Sequence, residues 1–345
     1  MSGRRTHNGK PAGKRLLVGV DTGGTFTDVV FVHGTRRGVC KVPSTPDDPA
    51  RAVLAALRRT FGSQAPDVLT YGTTVATNAM LERRGAKTAL VTTAGFEDVL
   101  EIGRQDRPRL YDLEPTRPQP IVPRSLRMGV DERMCFDGGV DKPVDPEEIE
   151  SLAQRLEKAG VESVALCLLH AHVNPAHEKS IAAALRSHGF PVSVSHEICP
   201  EPGEYERSST TSVNAYVLPA VARHLRRLAK ESRAARFRVM QSNGGAIGVG
   251  IAAREPIRTM LSGPAGGVAE AAAVAARAGF HRVITLDMGG TSTDVAFVDG
   301  DLPRRPVTEI GGLPVCTPCV DIHTVGAGGG SIAFVDEGGA LRVGP

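Results

Sequence analysis

Tryptophan is absent, and aromatic residues make up only 4% of the 345-residue chain, so any core must be built mainly from aliphatic side chains. No apolar run approaches the roughly 20 residues a membrane helix needs, and this excludes a helical membrane span. The net charge is only +3 and the basic residues are scattered, so nothing marks a nucleic-acid surface. There are six cysteines, and the start of the chain has no apolar signal segment. That combination points to reduced thiols and a cytoplasmic protein. The phosphate loop GxxxxGK[ST] is missing, and Gly326–Ser331 is not GxGxxG because serine stands at 331. Both absences count against P-loop and dinucleotide-binding folds.

Glycine and proline are plentiful, at 39 and 24 residues, which suits many tight loops. The length implies about two domains. One stretch organises the chain, Gly19-Val-Asp-Thr-Gly-Gly-Thr-Phe-Thr-Asp28. An apolar strand, Leu16 to Val20, runs into a Thr22–Thr25 turn, and a second strand runs from Phe26 to His33. Strand, glycine turn, strand predicts a hairpin. Backbone amides in such a turn can approach an anion closely, because glycine has no Cβ. Asp21 stands at a strand end, where a carboxylate can hold hydrated Mg²⁺ against phosphate oxygens. The device recurs 266 residues later. Thr285–Gly300 aligns without gaps on Gly19–Gly34 with ten of sixteen positions identical, including Asp21/Asp287 and Asp28/Asp294. Turn chemistry explains the glycines but not the aspartates and threonines, so a duplicated domain is the reading taken.

Between the copies, strands alternate with helices, which predicts an α/β layer fold. The expected division is a disordered, basic tail over 1–14, a first domain over 15–200, and the start of a second over 201–345. Pro46-Asp47-Asp48 is expected to open a helix carrying Val53, Leu54, Leu57 and Phe61 on one face. Gly72–Asn78 opens another, where Thr73, Thr74 and Asn78 can meet an anion or a polar carbonyl, or simply cap the helix. From Gly103 to Asp145 no period is legible. Arg104, Arg107 and Arg109 there can orient a carboxylate-bearing substrate or stand solvated. His170, His172 and His177 read as structural or surface residues rather than metal ligands. Glu204–Ala229 reads as one long helix or two, passing through Pro219, and is expected to cross between the halves. Ser262–Gly267 opens an alanine-rich helix whose small residues allow close packing or a close phosphate. Cys316-x-x-Cys319, followed by Asp321 and His323, can be a metal half-site or a redox pair. Gly326–Ser331 is a further phosphate or ribose cradle.

Duplicated Asp-x-Gly-Gly-Thr-x-Thr-Asp hairpins in α/β halves resemble the actin, sugar kinase and heat-shock ATPase superfamily. Its members have two ribonuclease H-like domains around a nucleotide cleft. Residues 19–28, Tyr71–Ala79, Ser262–Gly267, 286–294 and Asp321–Gly330 are more narrowly similar to the hydantoinase A/5-oxoprolinase family. That resemblance implies actin-like duplicated ribonuclease H-like domains, the second incomplete. It also implies ATP-dependent opening of a cyclic amide (hydantoin, 5-oxoproline or a related lactam) with a B-type partner subunit. By it, Asp21 and Asp287 are catalytic and lie near Mg²⁺. Thr22, Gly23, Gly24, Thr25, Thr27, Gly289, Gly290, Thr291, Thr293, Gly326, Gly328, Gly329 and Gly330 hold ATP. Thr73, Thr74, Asn78, Arg104, Asp321 and His323 face the substrate. The family's ketone carboxylases offer a second activity. Family A subunits are typically about twice this length, so a fragment, a split subunit and a non-catalytic remnant are all open.

Overall fold

The computed structural model describes residues 15–45, 47–106, 111, 113, 114, 118–290 and 292–344. The tail expected at 1–14, and Pro46, Arg107, Arg109 and Thr291, lie outside the described residues.

Alternation sets the first sheet. Strand β1 (Leu16–Thr22) turns Leu16, Val18 and Val20 inward. It forms a hairpin with β2 (Phe26–His33), and β3 (Arg36–Pro43) continues the antiparallel run. Helix α1 (Pro49–Phe61) starts on proline, whose missing N–H costs nothing in the first turn, and buries Val53, Leu54 and Leu57. Strand β4 (Val68–Thr73) then lies parallel to β1. Helix α2 (Val75–Leu81) follows.

Next comes a second, parallel layer. It contains β5 (Thr88–Thr93), short α3 (Val99–Ile102), β6 (Arg127–Val130), a ribbon of β7 (Arg133–Met134) and β8 (Val140–Lys142), and α4 (Pro146–Lys158). Helix α4 opens on Asp145, whose side chain accepts the Glu147 amide. Then come β9 (Ser163–Cys167), α5 (Ala176–Ser187), β10 (Val192–Val194) and α6 (Ser195–Ile198). The order is β10-β9-β5-β6, all parallel. Strand β6 falls in the stretch where no period was legible.

Helix α7 (Glu204–Ser232) passes through Pro219 without ending. Its Val213, Val217, Val221 and Leu225 join the core of the first sheet, while Ala215 joins the core of the parallel one. It packs between the two sheets, and it also reaches the later segment, where Ser209 Oγ donates to the Pro314 carbonyl and the Cys316 amide donates to Thr210 Oγ1. Strands β11 (Arg236–Met240) and β12 (Ala246–Gly248) return to the first sheet, giving β12-β11-β4-β1-β2-β3. Packing thus does not divide at residue 200. Short α8 (Val249–Ala252) leads to α9 (Ser262–Arg277) and the second hairpin, β13 (Arg282–Met288) and β14 (Thr293–Asp299). Ala265 and Val268 of α9 pack on Ala296 and Val298. The remaining strands are β15 (Arg304–Arg305), β16 (Thr308–Ile310), β17 (Leu313–Val315), β18 (Cys319–Val320), β19 (His323–Val325), β20 (Ile332–Val335) and β21 (Leu341–Gly344). Strand β19 pairs antiparallel with β14.

The first core contains one acid-sensitive contact. Tyr71 Oη lies 3.0 Å from His224 Nε2, and burial pushes the imidazole down to about 4. The folded state therefore binds fewer protons than the unfolded chain between pH 6.5 and about 4, so stability rises with pH across that window. His224→Gln keeps a hydrogen-bonding group and is expected to flatten the acid limb of a Tm-versus-pH curve. The wild-type loss across the window is on the order of 2 kcal/mol. An unchanged limb would contradict this.

Candidate phosphate and cation site

The two hairpins close alike. Asp21 pairs with Asp28 and Thr22 with Thr27; Asp287 pairs with Asp294 and Met288 with Thr293. The Gly23 amide donates to the Phe26 carbonyl at 3.0 Å, and the Gly289 amide to the Ser292 carbonyl at 2.9 Å. The sequence repeat is thus a structural repeat down to the turn hydrogen bond. Each turn has its own support. Ser44 Oγ donates to the Gly23 carbonyl at 2.8 Å and lies 3.0 Å from Thr27 Oγ1. The second turn is braced by the glycine loop before β20. Thr293 Oγ1 donates to the Ala327 carbonyl at 2.6 Å. The Gly329 and Gly330 amides donate to the Gly289 and Gly290 carbonyls, each at 2.9 Å. Those two amides are already engaged, so here the loop acts as a brace on the turn.

Asp21 sits where several elements meet. It pairs across to Gly72 of β4, and a Cβ on Gly72 would lie 2.7 Å from Asp21 Oδ1. A Cβ on Gly263, in the first turn of α9, would lie 3.7 Å from the same oxygen. Helix α2 closes the other side. Thr74 Oγ1 donates to the Thr22 carbonyl at 3.3 Å, and Asn78 Nδ2 reaches Thr74 Oγ1 at 3.4 Å. Ser262 Oγ donates to the Thr73 carbonyl at 3.4 Å, and the Leu261 amide donates to Thr77 Oγ1 at 3.2 Å. Leu261 has φ of 58°, a region bulky side chains seldom adopt, and this fixes how α9 enters.

Partial burial pushes the Asp21 carboxyl above its ordinary range, and the nearby charges of Asp28 and then Asp287 push it further. The second hairpin's aspartate is therefore within electrostatic reach of the first. Lys41 answers Asp28 at 2.8 Å. The carboxylate oxygens of Asp21 and Asp287 are hard donors of the kind Mg²⁺ takes.

Other predicted residues lie elsewhere. Arg104 Nε pairs with Glu206 Oε1 at 2.5 Å, on the wall of a separate cavity of about 550 Å³ shared with Tyr205, Gln119 and Glu309. His323 pairs with Val295, whereas Asp294 pairs with Thr324. Neighbouring strand residues face opposite ways, so His323 lies on the sheet face away from Asp287. Asp321 Oδ1 is 3.6 Å from Arg305 Nη1. Cys316 and Cys319 are free thiols; the Cys199 thiol beside Cys316 lowers its pKa, and the Cys319 thiol donates to the Arg305 carbonyl at 3.7 Å. Among the described residues no group of three or more His, Cys, Asp or Glu is placed to hold a metal. Two of the three histidines are held by protein partners. His177 Nδ1 lies 2.6 Å from Glu132, and His172 Nδ1 accepts from Arg207 at 2.7 Å. Among the described residues no helix is long and apolar enough to cross a membrane.

Sequence reasoning missed two residues beside Asp21. Gly72 was read only as the approach to a helix, and Gly263 only as part of a small-residue run. Their signal was the density of small residues around both.

Fold and site together define a mixed α/β protein with duplicated aspartate–glycine hairpins. The chain belongs to the hydantoinase/oxoprolinase family: the family's N-terminal region matches residues 17–189, and the hydantoinase/oxoprolinase domain matches residues 207–345. It is 36% identical to caprolactamase subunit alpha of Pseudomonas jessenii, over 96% of this chain and 50% of that protein. The crystal structure of the ATP-dependent caprolactamase from that organism superposes with a TM-score of 0.84 at 35% identity, over 95% of this chain and 50% of the other. A nucleotide-free acetone carboxylase structure superposes at 0.80 with 29% identity, over 96% and 51%. The chain spans about half the length of these relatives.

Proposed function

We propose that this chain is the ATP-handling part of an enzyme that opens a cyclic amide by phosphorylating its carbonyl oxygen. The observation that carries this reading is the pair of hairpins in identical register, with the Asp287 charge of the second reaching Asp21 of the first. The topology supports it. In β3-β2-β1-β4-β11 the first three strands are antiparallel and the next two run parallel to β1, the order of a ribonuclease H-like domain. The caprolactamase likeness supports the substrate class.

A lactam carbon is a poor electrophile because the ring nitrogen donates into the carbonyl. ATP with Mg²⁺ supplies the phosphoryl group and neutralises its charge. Asp21 and Asp287 would hold the cation. The turn amides at Gly24 and Gly290 would face phosphate oxygens, and Thr74 and Asn78 would border the transferred group. Water then adds to the activated carbon, and the ring opens to an amino acid with release of phosphate. A B-type subunit would provide the rest of the substrate site.

Calorimetric titration of MgATP into the 345-residue chain tests the reading. Asp21→Ala is expected to raise Kd at least tenfold, about 1.4 kcal/mol. Equal binding by both proteins would overturn it. The likeness to acetone carboxylase favours ketone carboxylation as a second reading, and bicarbonate-dependent turnover would select it.

A further inference from the structure

The internal repeat allows the two hairpins to be compared face by face. In the first copy, Val18, Val20, Val29 and Phe31 form one face and are 3%, 4%, 0% and 8% exposed. They share a core with Val53 and Leu57 of α1 and with Val217 and Val221 of α7. At the offset of the repeat, their counterparts are Ile284, Leu286, Val295 and Phe297. Cross-strand pairing puts these on one face too, with Ile284 opposite Phe297 and Leu286 opposite Val295. Yet Ile284 is 70% exposed, Leu286 64% and Phe297 52%. Val325 of β19 and Met288 extend the same apolar strip. The opposite face is not bare, since α9 packs there on Ala296 and Val298.

A row of four or five large apolar side chains open to water is the signature of a contact surface. The first copy says what fits it. There, the third strand is followed by α1, whose apolar residues fall at positions 53, 54, 57 and 61 and cover the sheet. In the second copy, the third strand is followed by the glycine loop and the β20–β21 hairpin, and no further helix occurs among the described residues. We propose that the Ile284/Leu286/Phe297 face seats an amphipathic helix with an α1-like aliphatic stripe. The polypeptide that carries it corresponds to the half of the full-length relatives that this chain does not match. The proposal goes beyond the ATP reading and does not depend on it.

Co-expression tests it. The 345-residue chain is produced with the half of the Pseudomonas jessenii caprolactamase subunit alpha that lies outside the matched region. The expected result is a one-to-one complex by size exclusion with light scattering, with amide exchange slowed over 283–298. Leu286→Asp or Phe297→Asp is expected to weaken the complex at least tenfold. Val39→Asp, at an exposed position of the first sheet, is expected to leave it intact. Both test positions are exposed, so the variants should fold; Leu286→Gln serves if they do not. Three outcomes would overturn the proposal: no complex, a complex indifferent to both aspartates, or a self-dimer of this chain that the same substitutions dissolve.

Discussion

Gly72→Ala is expected to weaken MgATP binding at least tenfold while the protein remains folded. The argument is steric. Gly72 pairs with Asp21 across the parallel β1–β4 ladder, and an added Cβ would fall 2.7 Å from Asp21 Oδ1. That is closer than a carbon and an oxygen can lie, so something must move. The strand backbone is held on both sides, by β1 and by β11. The carboxylate is the freer group and would rotate away from Gly72, out of the place from which it would share a cation with Asp287 under the proposed function. The cost to folding should be that of mild overpacking, about 1–3 kcal/mol. Affinity falls because the hairpin turns keep their shape while the anchoring oxygen has turned away. Calorimetry measures the affinity, and circular dichroism confirms the fold. Wild-type affinity in Gly72→Ala would mean that this orientation of Asp21 is not the one that binds. Protons provide a second check. Burial and the neighbouring aspartates raise the Asp21 pKa, so a proton competes with the cation, and wild-type affinity should fall as pH drops through that raised value.

Local pattern made much of the first sheet legible. The apolar run Leu16–Val20, the strand-like run Phe26–His33 after the glycine turn, and the Pro46-Asp47-Asp48 start before α1 fixed those elements because each depends on residues close in sequence. Strand β6 was not legible. Arg127-Met-Gly-Val130 has no clear alternation, and its burial comes from lying parallel to β5, with Arg127 donating to the Val122 carbonyl and to Glu101. The same limit hid the return of β11 to β4, since parallel pairing joins residues far apart in the chain.

The site divides in the same way. Asp21 and Asp287 were legible because duplication marks them. Gly72 and Gly263 were not, because only strand pairing and helix docking bring them to Asp21. His323 looked close to the glycine loop in sequence, but the parity of β19 turns it to the other face. Cys316 has Cys319 as its sequence neighbour and Cys199 as its spatial one. In each case the missing information was a long-range pairing.

The largest stability loss is expected away from the phosphate site, at Glu178→Ala. Glu178 is fully buried and accepts from the Leu168 amide at 2.9 Å, Ser195 Oγ at 2.6 Å and the His196 amide at 3.0 Å; its second oxygen also lies 2.6 Å from His196 Nδ1. One carboxylate thus ties the end of β9 to the start of α6 just after β10. Alanine leaves two backbone amides, a hydroxyl and an imidazole without their acceptor in a closed core. Each orphaned donor costs about 1–3 kcal/mol where water cannot replace the partner. Removing one side of a buried charged network typically costs about 3–5 kcal/mol. A fall in Tm on the order of 5 °C follows for a chain of this size. Glu178→Gln should fall between the two, because it keeps one acceptor oxygen but points an N–H pair at groups that are themselves donors. Differential scanning calorimetry of the three proteins gives the order. A loss below about 1 kcal/mol for alanine would mean that water enters and takes over the acceptor role. The network belongs to the parallel sheet, whereas Asp21 belongs to the first. MgATP affinity well below the new Tm should therefore stay near wild type, which separates this variant from Gly72→Ala, where affinity falls and stability largely holds.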